Sequence, residues 1–573
     1  MKTLPIAAAC LGLALLTFFQ FPGHTWLQQD SQIYAPILEH LHDPSLLRNE
    51  ILAAKPHVAY TLYDETALAL RAATRLDFRY VLALEQIVAR AFGIWGLYLM
   101  ASGLGLQAWP GDRPLGRATG FVPLALFIAA VCSLGASIAG PQVLTFEYEP
   151  TPRAFALPLA IAAIGLATHH RFLAAGIAGA AAFLFHPPTA LPFWACYGAL
   201  ALWPSRREVM RRRLWGLAPL LGGALVLAVA AHAQQGGGEA QTFFGSLTPA
   251  LEKLQRLRAP YNWISEPAFW KPAVILHYAI LFAALLAAFL RVRRDAGFEL
   301  RLFLLGLPIL GMLSMPASWL LLERWHWALV PQVQPMRCLL FVTFFTQFLA
   351  ASAGVLAAAG RSPFESVAWF AVAYLPVLQP VVTEPIPFRG GAVTLGLAAV
   401  TWLAVWLSRA DSRPAKGWMG AGWQPVPLLL GLAAFLAIPA LGGAPRNTVT
   451  PDPELDHLAV WARGSTPKDA VFLFPDAGKQ AYPGAFRAEA LRAVYVDWKS
   501  GGQVNYLPGF ADQWWFRWQQ TMAKRFQPRD VPKYGALGIQ YIVLQPKNRL
   551  PGRMPAFESA KYVAYSVAGL VGK

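Results

Sequence analysis

An acid set a few residues beyond a membrane-length apolar run is placed to do chemistry at a membrane face. Asp30 is such a residue. It follows the apolar run 4–21 in the order Pro22-Gly23-His24-Thr25-Trp26-Leu27-Gln28-Gln29-Asp30. A carboxylate held at the membrane–water boundary serves as a base or a metal ligand, with a pKa set by its neighbours. Aspartate also caps helices, and a helix is predicted from Ser31 to His42, so capping stands beside catalysis as a reading of the same residue. Tyr34 and Glu39 lie on that predicted helix and are candidate substrate contacts.

A second acidic group is Glu147-Tyr148-Glu149, followed by Pro150, Pro152 and Arg153. On extended chain, residues i and i+2 face the same way. Two carboxylates on one face can hold a divalent cation such as Mg or Mn through oxygen; the plainer reading is a solvated turn, to which the prolines point. Arg337 and Arg324 are basic residues at the outer ends of apolar segments. Arginine binds phosphate bidentately, which makes Arg337 a candidate lipid-phosphate contact, with snorkelling to headgroups as the simpler account of Arg324. Arg153 and His186, the latter before Pro187-Pro188, complete the candidate substrate-binding set.

The elements that must carry these residues are membrane helices. Of the 573 residues, 56% are hydrophobic and only 14% are charged. Apolar runs of about 17–25 residues, the length that crosses a bilayer, recur through most of the chain. The net charge of +17 does not call for nucleic acid. Much of it sits in short loops such as Arg206-Arg207 and Arg211-Arg212-Arg213, as expected at a cytoplasmic face touching anionic lipid. Cys10, Cys132, Cys196 and Cys338 lie in or beside apolar spans and suggest no disulfide framework.

The hydropathy pattern gives about 13 crossings over residues 1–444, with the N-terminus cytoplasmic and the long loop 22–80 and the shorter loop 141–152 outside. From about 445 the charge rises and long apolar runs stop. Residues 453–463 read as an amphipathic helix; 470–474, 493–496 and 539–544 as short strands; 510–526 as a Trp-rich helix. Residues 445–573 are therefore expected to form a small C-terminal α/β domain on the exoplasmic (periplasmic) side. Arg487, Arg492, Asp497, Trp498 and Lys499 gather around one of its strands.

The layout resembles the GT-C superfamily, integral membrane glycosyltransferases that use polyprenyl-phosphate-linked sugars. Asp30 matches the first-loop catalytic acid of that family, Glu147-Tyr148-Glu149 resembles its second-loop acidic motif, and Arg337 is similar to a lipid-phosphate arginine. Gln28 stands where a D-x-D would put an acid, and Trp514-Trp515-Phe516 is not the sequon-reading motif of oligosaccharyltransferases, which argues against protein N-glycosylation. The resemblance implies transfer of a sugar to a glycan, lipid or protein acceptor at the outer face of a bacterial cytoplasmic membrane. The alternatives are a transporter or flippase for a lipid-linked glycan, and a non-catalytic membrane assembly protein.

Overall fold

The computed structural model describes residues 3–53, 61–104, 121–141, 143–233, 245–360, 362–378, 387–410, 425–442, 447–450 and 452–571. Part of the first loop (54–60) and the 444/445 boundary thus lie outside the described residues.

The helices of the N-terminal part are α1 (Thr3–Phe19), α2 (Ser31–His42), α3 (Tyr63–Thr74), α4 (Phe78–Ser102), α5 (Phe121–Ser133) and α6 (Pro152–Thr168). Next come α7 (Phe172–Phe185), α8 (Pro187–Leu202), α9 (Arg207–Trp215), α10 (Ala218–Ala233), α11 (Pro249–Arg258) and α12 (Pro272–Val292). The membrane part closes with α13 (Phe298–Ser318), α14 (Val330–Val333), α15 (Leu340–Ala359), α16 (Pro363–Tyr374), α17 (Pro387–Ala410) and α18 (Pro425–Ala440). Proline opens many of them, where its fixed φ suits a first turn and its missing N–H is no loss.

Among the described residues, six helices are long and apolar enough to cross a membrane by themselves, and shorter apolar helices accompany them. The protein is a multi-pass membrane protein. The apolar window of the segment Val330–Ala359 is 94% buried, against 17% for Gly391–Arg409, so α15 is the axis of the bundle and α17 lies at its edge. Helices α4 and α6 meet through small residues. A Cβ on Gly96 would sit 2.5 Å from the Ala162 backbone, and one on Gly165 2.6 Å from the Gly96 carbonyl. Such close backbone approach is how helices gain packing where lipid removes the hydrophobic drive between them.

Near the C-terminus the chain folds around a five-stranded sheet. Its helices are α19 (Pro453–Ser465), α20 (Tyr482–Ala490), α21 (Pro508–Thr521), α22 (Val531–Ala536) and α23 (Val567–Val571). Counting from two-residue strands in the loops, β1 (Gly23–His24), β2 (Ser137–Ile138), β3 (Val143–Leu144) and β4 (Asn447–Thr448), the sheet holds β5 (Val471–Leu473), β6 (Ala493–Val494), β7 (Tyr541–Leu544), β8 (Phe557–Glu558) and β9 (Val563–Ser566). The order is β6-β5-β7-β9-β8. Strands β6, β5 and β7 are parallel, and β9 runs antiparallel to both β7 and β8. Strands β5, β7 and β9 are almost wholly buried, as expected when helices cover a parallel core.

The sheet is fastened to the first loop. β4 pairs in parallel with β1. Arg487, fully buried on α20, bonds Asp497 at 2.6 Å and the Gln32 carbonyl at 3.0 Å, and lies 3.8 Å from Glu50. Glu50 in turn accepts the Val494 N–H at 3.0 Å. The arginine holds the Asp497 carboxyl below its usual range against the upward push of burial, whereas at Glu50 burial wins and the carboxyl is raised.

Candidate active site

The site is suspended from α4. Gln86 and Arg90 are four apart on one face of that helix, and both are buried. Arg90 donates to the carbonyls of Thr17 (2.8 Å), Gly23 (2.8 Å) and Glu147 (2.7 Å). Gln86 donates to the same Glu147 carbonyl at 2.9 Å and meets His24 at 2.7 Å. Two polar side chains thus pin the start of the first loop and the acidic turn of the second to one helix. Tyr63 adds a bond to the Pro150 carbonyl at 2.7 Å.

The turn positions Glu149 under the start of α2. Its carboxylate accepts the backbone N–H groups of Gln28 (2.9 Å), Gln29 (2.6 Å) and Ser31 (3.0 Å) and the Ser31 hydroxyl (3.1 Å). The Ser31 N–H is an orphan donor of the first turn of α2, the Gln28 and Gln29 N–H groups belong to the chain just before it, and a carboxylate there also meets the positive end of the helix dipole. Burial raises the Glu149 carboxyl, with the N–H donors working against it.

Glu149 therefore takes the capping role that the sequence assigned to Asp30. Asp30 occupies the N-cap position of α2 with no side-chain cap bond. Its carboxylate turns instead to cations, Lys499 Nζ at 2.8 Å on Oδ1 and Arg153 Nη2 at 3.4 Å on Oδ2, and its side chain is 28% exposed. Burial works to raise this carboxyl, but Lys499, Arg153 and, more remotely, Arg337 outweigh it and hold it far below the usual range. Arg153 also bonds Glu147 Oε1 at 2.6 Å, so one guanidinium bridges the two acids.

Tyr34 and His186 come together in a cavity of about 350 Å³, with Thr61, Gln332, Gln503 and Tyr506 among its other lining residues and apolar side chains of α7 and α10 on one wall. Burial raises both tyrosine hydroxyls, and both feel the charges of Asp30, Arg153 and Arg337, so the charged cluster lies beside this cavity. Arg337 stands on the short helical turn before α15 with its Nε buried and unbonded; among the described residues no carboxylate pairs with it. His186 caps α8, accepting the Thr189 N–H at 3.2 Å.

The structure gives the remaining candidates partners within the protein. Glu39 does not line the cavity: it pairs with Arg71 at 3.1 Å and ties α2 to α3. Glu147 and Glu149 do not present a shared face. The chain bends at 145–146 and 148–149, so the two-residue alternation of an extended strand is lost. One carboxylate goes to Arg153 and the other to backbone N–H donors. Among the described residues no three His, Cys, Asp or Glu side chains gather as metal ligands. The arrangement does not fit a divalent cation on this pair, and no step is derived through one.

Sequence reasoning missed Lys499 as the partner of Asp30, and it missed Gln86, Arg90, Gln503 and Tyr506. A signal existed for two of them, because polar residues four apart within an apolar helix mark a functional face. None existed for Lys499, whose contact depends on how the sheet docks.

Residues 454–522 match the model of a domain of unknown function, DUF6798. The DUF6798 match includes Arg487, Asp497 and Lys499, the residues that dock the sheet on the first loop and reach Asp30. No curated protein matches the sequence. By shape the chain is similar to the crystal structure of ArnT from Cupriavidus metallidurans in the apo state, at a TM-score of 0.41 and 11% identity over 99% of this chain and 98% of that one. It is also similar to the arabinofuranosyltransferase AftD from Mycobacteria, at a TM-score of 0.43 and 14% identity over 99% of this chain and 42% of that one.

Proposed function

We propose that the protein is a GT-C-type membrane glycosyltransferase, moving a sugar from a polyprenyl-phosphate-linked donor to a hydroxyl acceptor at the outer face of a bacterial cytoplasmic membrane. The observation that carries this reading is an ionised carboxylate, Asp30, held among Arg153, Lys499 and Arg337 beside a cavity with one apolar wall. A polyprenyl tail suits the apolar wall, and its phosphate suits Arg337 and its neighbours. Free sugars in water would need neither.

In the reaction the acceptor oxygen attacks the anomeric carbon and its proton passes to Asp30. The bond from the anomeric carbon to phosphate oxygen breaks, and the pair of electrons leaves with the polyprenyl phosphate. The gathering negative charge on that phosphate is met by fixed cations, which is where such a site gains most of its rate. In the free protein Asp30 is a weak base because Lys499 and Arg153 hold it. An incoming phosphate competes for the same cations and returns basicity to the carboxylate as the donor binds.

The test is turnover of a panel of polyprenyl-phosphate sugars by purified protein, with Asp30→Asn beside it. The wild type transfers sugar and the variant binds donor but loses transfer by at least about a hundredfold, the usual worth of a general base. Normal transfer by Asp30→Asn removes the reading.

A further inference from the structure

The C-terminal sheet has a second concave site, away from Asp30. Strand β5 is central to the three parallel strands. The chain leaves it through α20 to β6 on one side, and returns through α21 and α22 to β7 on the other. The loop after β5 and the loop after β7 therefore depart in opposite directions. In a parallel sheet that reversal opens a crevice at the carboxyl ends of the two strands, the usual place for a ligand.

A cavity of about 400 Å³ lies there. Asp476 and Gly478 line it from the loop after β5, Lys547 and Asn548 from the loop after β7, and Lys524 and Arg525 from the turn that follows α21. The two loops are clasped across the crevice by Asp476 Oδ2, which accepts the Gln545 N–H and the Asn548 side-chain N–H, each at 2.8 Å. Gly478 takes φ +54°, the left-handed turn that folds its loop back. Asp476 Oδ1 is buried and has no hydrogen-bond partner. Such an orphan acceptor is costly, and a donor arriving from a ligand relieves the cost. Around the rim, Lys524, Arg525 and Lys547 are exposed, and among the described residues none is paired with a carboxylate.

We propose that this crevice binds a phosphorylated sugar, its phosphate on Lys524, Arg525 and Lys547 and one of its hydroxyls donating to Asp476 Oδ1. Three cations facing one carboxylate, Asp476, whose Oδ2 is already held by the two loops, leave a net positive rim that selects a multiply charged anion, and the buried Oδ1 between the loops selects a hydroxyl at its other end. The cavity has the volume of a small-molecule site, roughly 300 Å³ or more. The site does not depend on the transferase reading.

Calorimetric titration of the detergent-purified protein with glucose 6-phosphate, inorganic phosphate and glucose tests it. Glucose 6-phosphate is expected to bind at least about tenfold tighter than either fragment, since both ends contribute. Replacing the exposed cations together (Lys524→Ala, Arg525→Ala, Lys547→Ala) leaves the fold intact and weakens binding at least about tenfold. Asp476→Ala, which removes the buried acceptor altogether, brings the sugar phosphate down to the affinity of phosphate alone, and Asp30→Asn leaves binding unchanged. Equal binding of phosphate and glucose 6-phosphate, no binding, binding indifferent to the triple substitution, or binding lost in Asp30→Asn each overturns the proposal.

Discussion

Replacing Glu149 by glutamine removes one charge and almost no volume, and it isolates what holds Asp30 in place. The carboxylate receives three backbone N–H groups and one hydroxyl. Hydrogen bonds to a charged acceptor contribute roughly 1.5–3 kcal/mol each, about twice their neutral counterparts, so three weakened donors lose about 2–4 kcal/mol. The new amide also turns N–H toward one of the donors, which adds about 1–3 kcal/mol. Against this, a neutral side chain escapes the desolvation that raises the Glu149 carboxyl. The net expectation is a loss of about 2–3 kcal/mol at the start of α2, or about 30–150-fold in local opening. Hydrogen exchange by mass spectrometry on a peptide spanning residues 26–34 reads it directly, with faster exchange there and little change in the C-terminal sheet. Exchange unchanged in that peptide would refute the capping role.

Lys499→Met strips Asp30 of its 2.8 Å partner. The depressed carboxyl rises once the Lys499 charge is gone, so an acid limb that the wild type shows only well below the ordinary carboxylate range moves up toward that range in the pH–rate profile; a limb that stays put contradicts the ion pair. Ion-pair stabilisation at Asp30 is present above the unfolded pKa near 4 and lost as pH falls through the lower folded value, so loss of Lys499 narrows that window. Gly96→Ala drives a methyl into the Ala162 backbone and should cost about 1–3 kcal/mol, seen as a lower unfolding temperature in detergent; an unchanged value would mean that α4 and α6 separate freely. Arg487→Met leaves Asp497 and Glu50 buried without their cation and should cost about 3–5 kcal/mol, read as protease cleavage within 470–560 while the membrane helices stay protected.

The helices were legible because bilayer length and apolarity are local properties. The helix expected from Ser31 to His42 is α2. Strands β5 and β7 stood out as short apolar runs between turn residues. β8 and β9 did not, because Phe557-Glu558 is mixed and Val563–Ser566 alternates too briefly to register. Helix α3 was taken for loop, its acidic start Asp64-Glu65 being as good a helix signal as a loop one. In the site, Asp30 was legible from its place after α1. Its partners were not, because the contacts with Arg153 and Lys499 cross most of the chain and are set by docking rather than by local pattern. The acidic pair failed for a local reason, since Pro150 and the bends before it break the extension on which the two-residue rule depends.

The contact between Gln29 and Lys499 joins residues 470 positions apart. Asp30 is therefore made early and its lysine late. At roughly 5–20 residues per second, translation leaves the carboxylate without Lys499 for about 25–95 s. During that interval the first loop also lacks Arg487, Asp497 and the β4 strand that later hold it. The site is a product of assembly order. A chain stopped before the DUF6798 segment would insert its helices and still possess Asp30, Arg153 and Arg337, with the first loop held by Arg90, Gln86 and Glu149, but its carboxylate would lack its closest cation and the loop would lack the bond from Arg487 to the Gln32 carbonyl. The C-terminal sheet thus completes the site in time as well as in space.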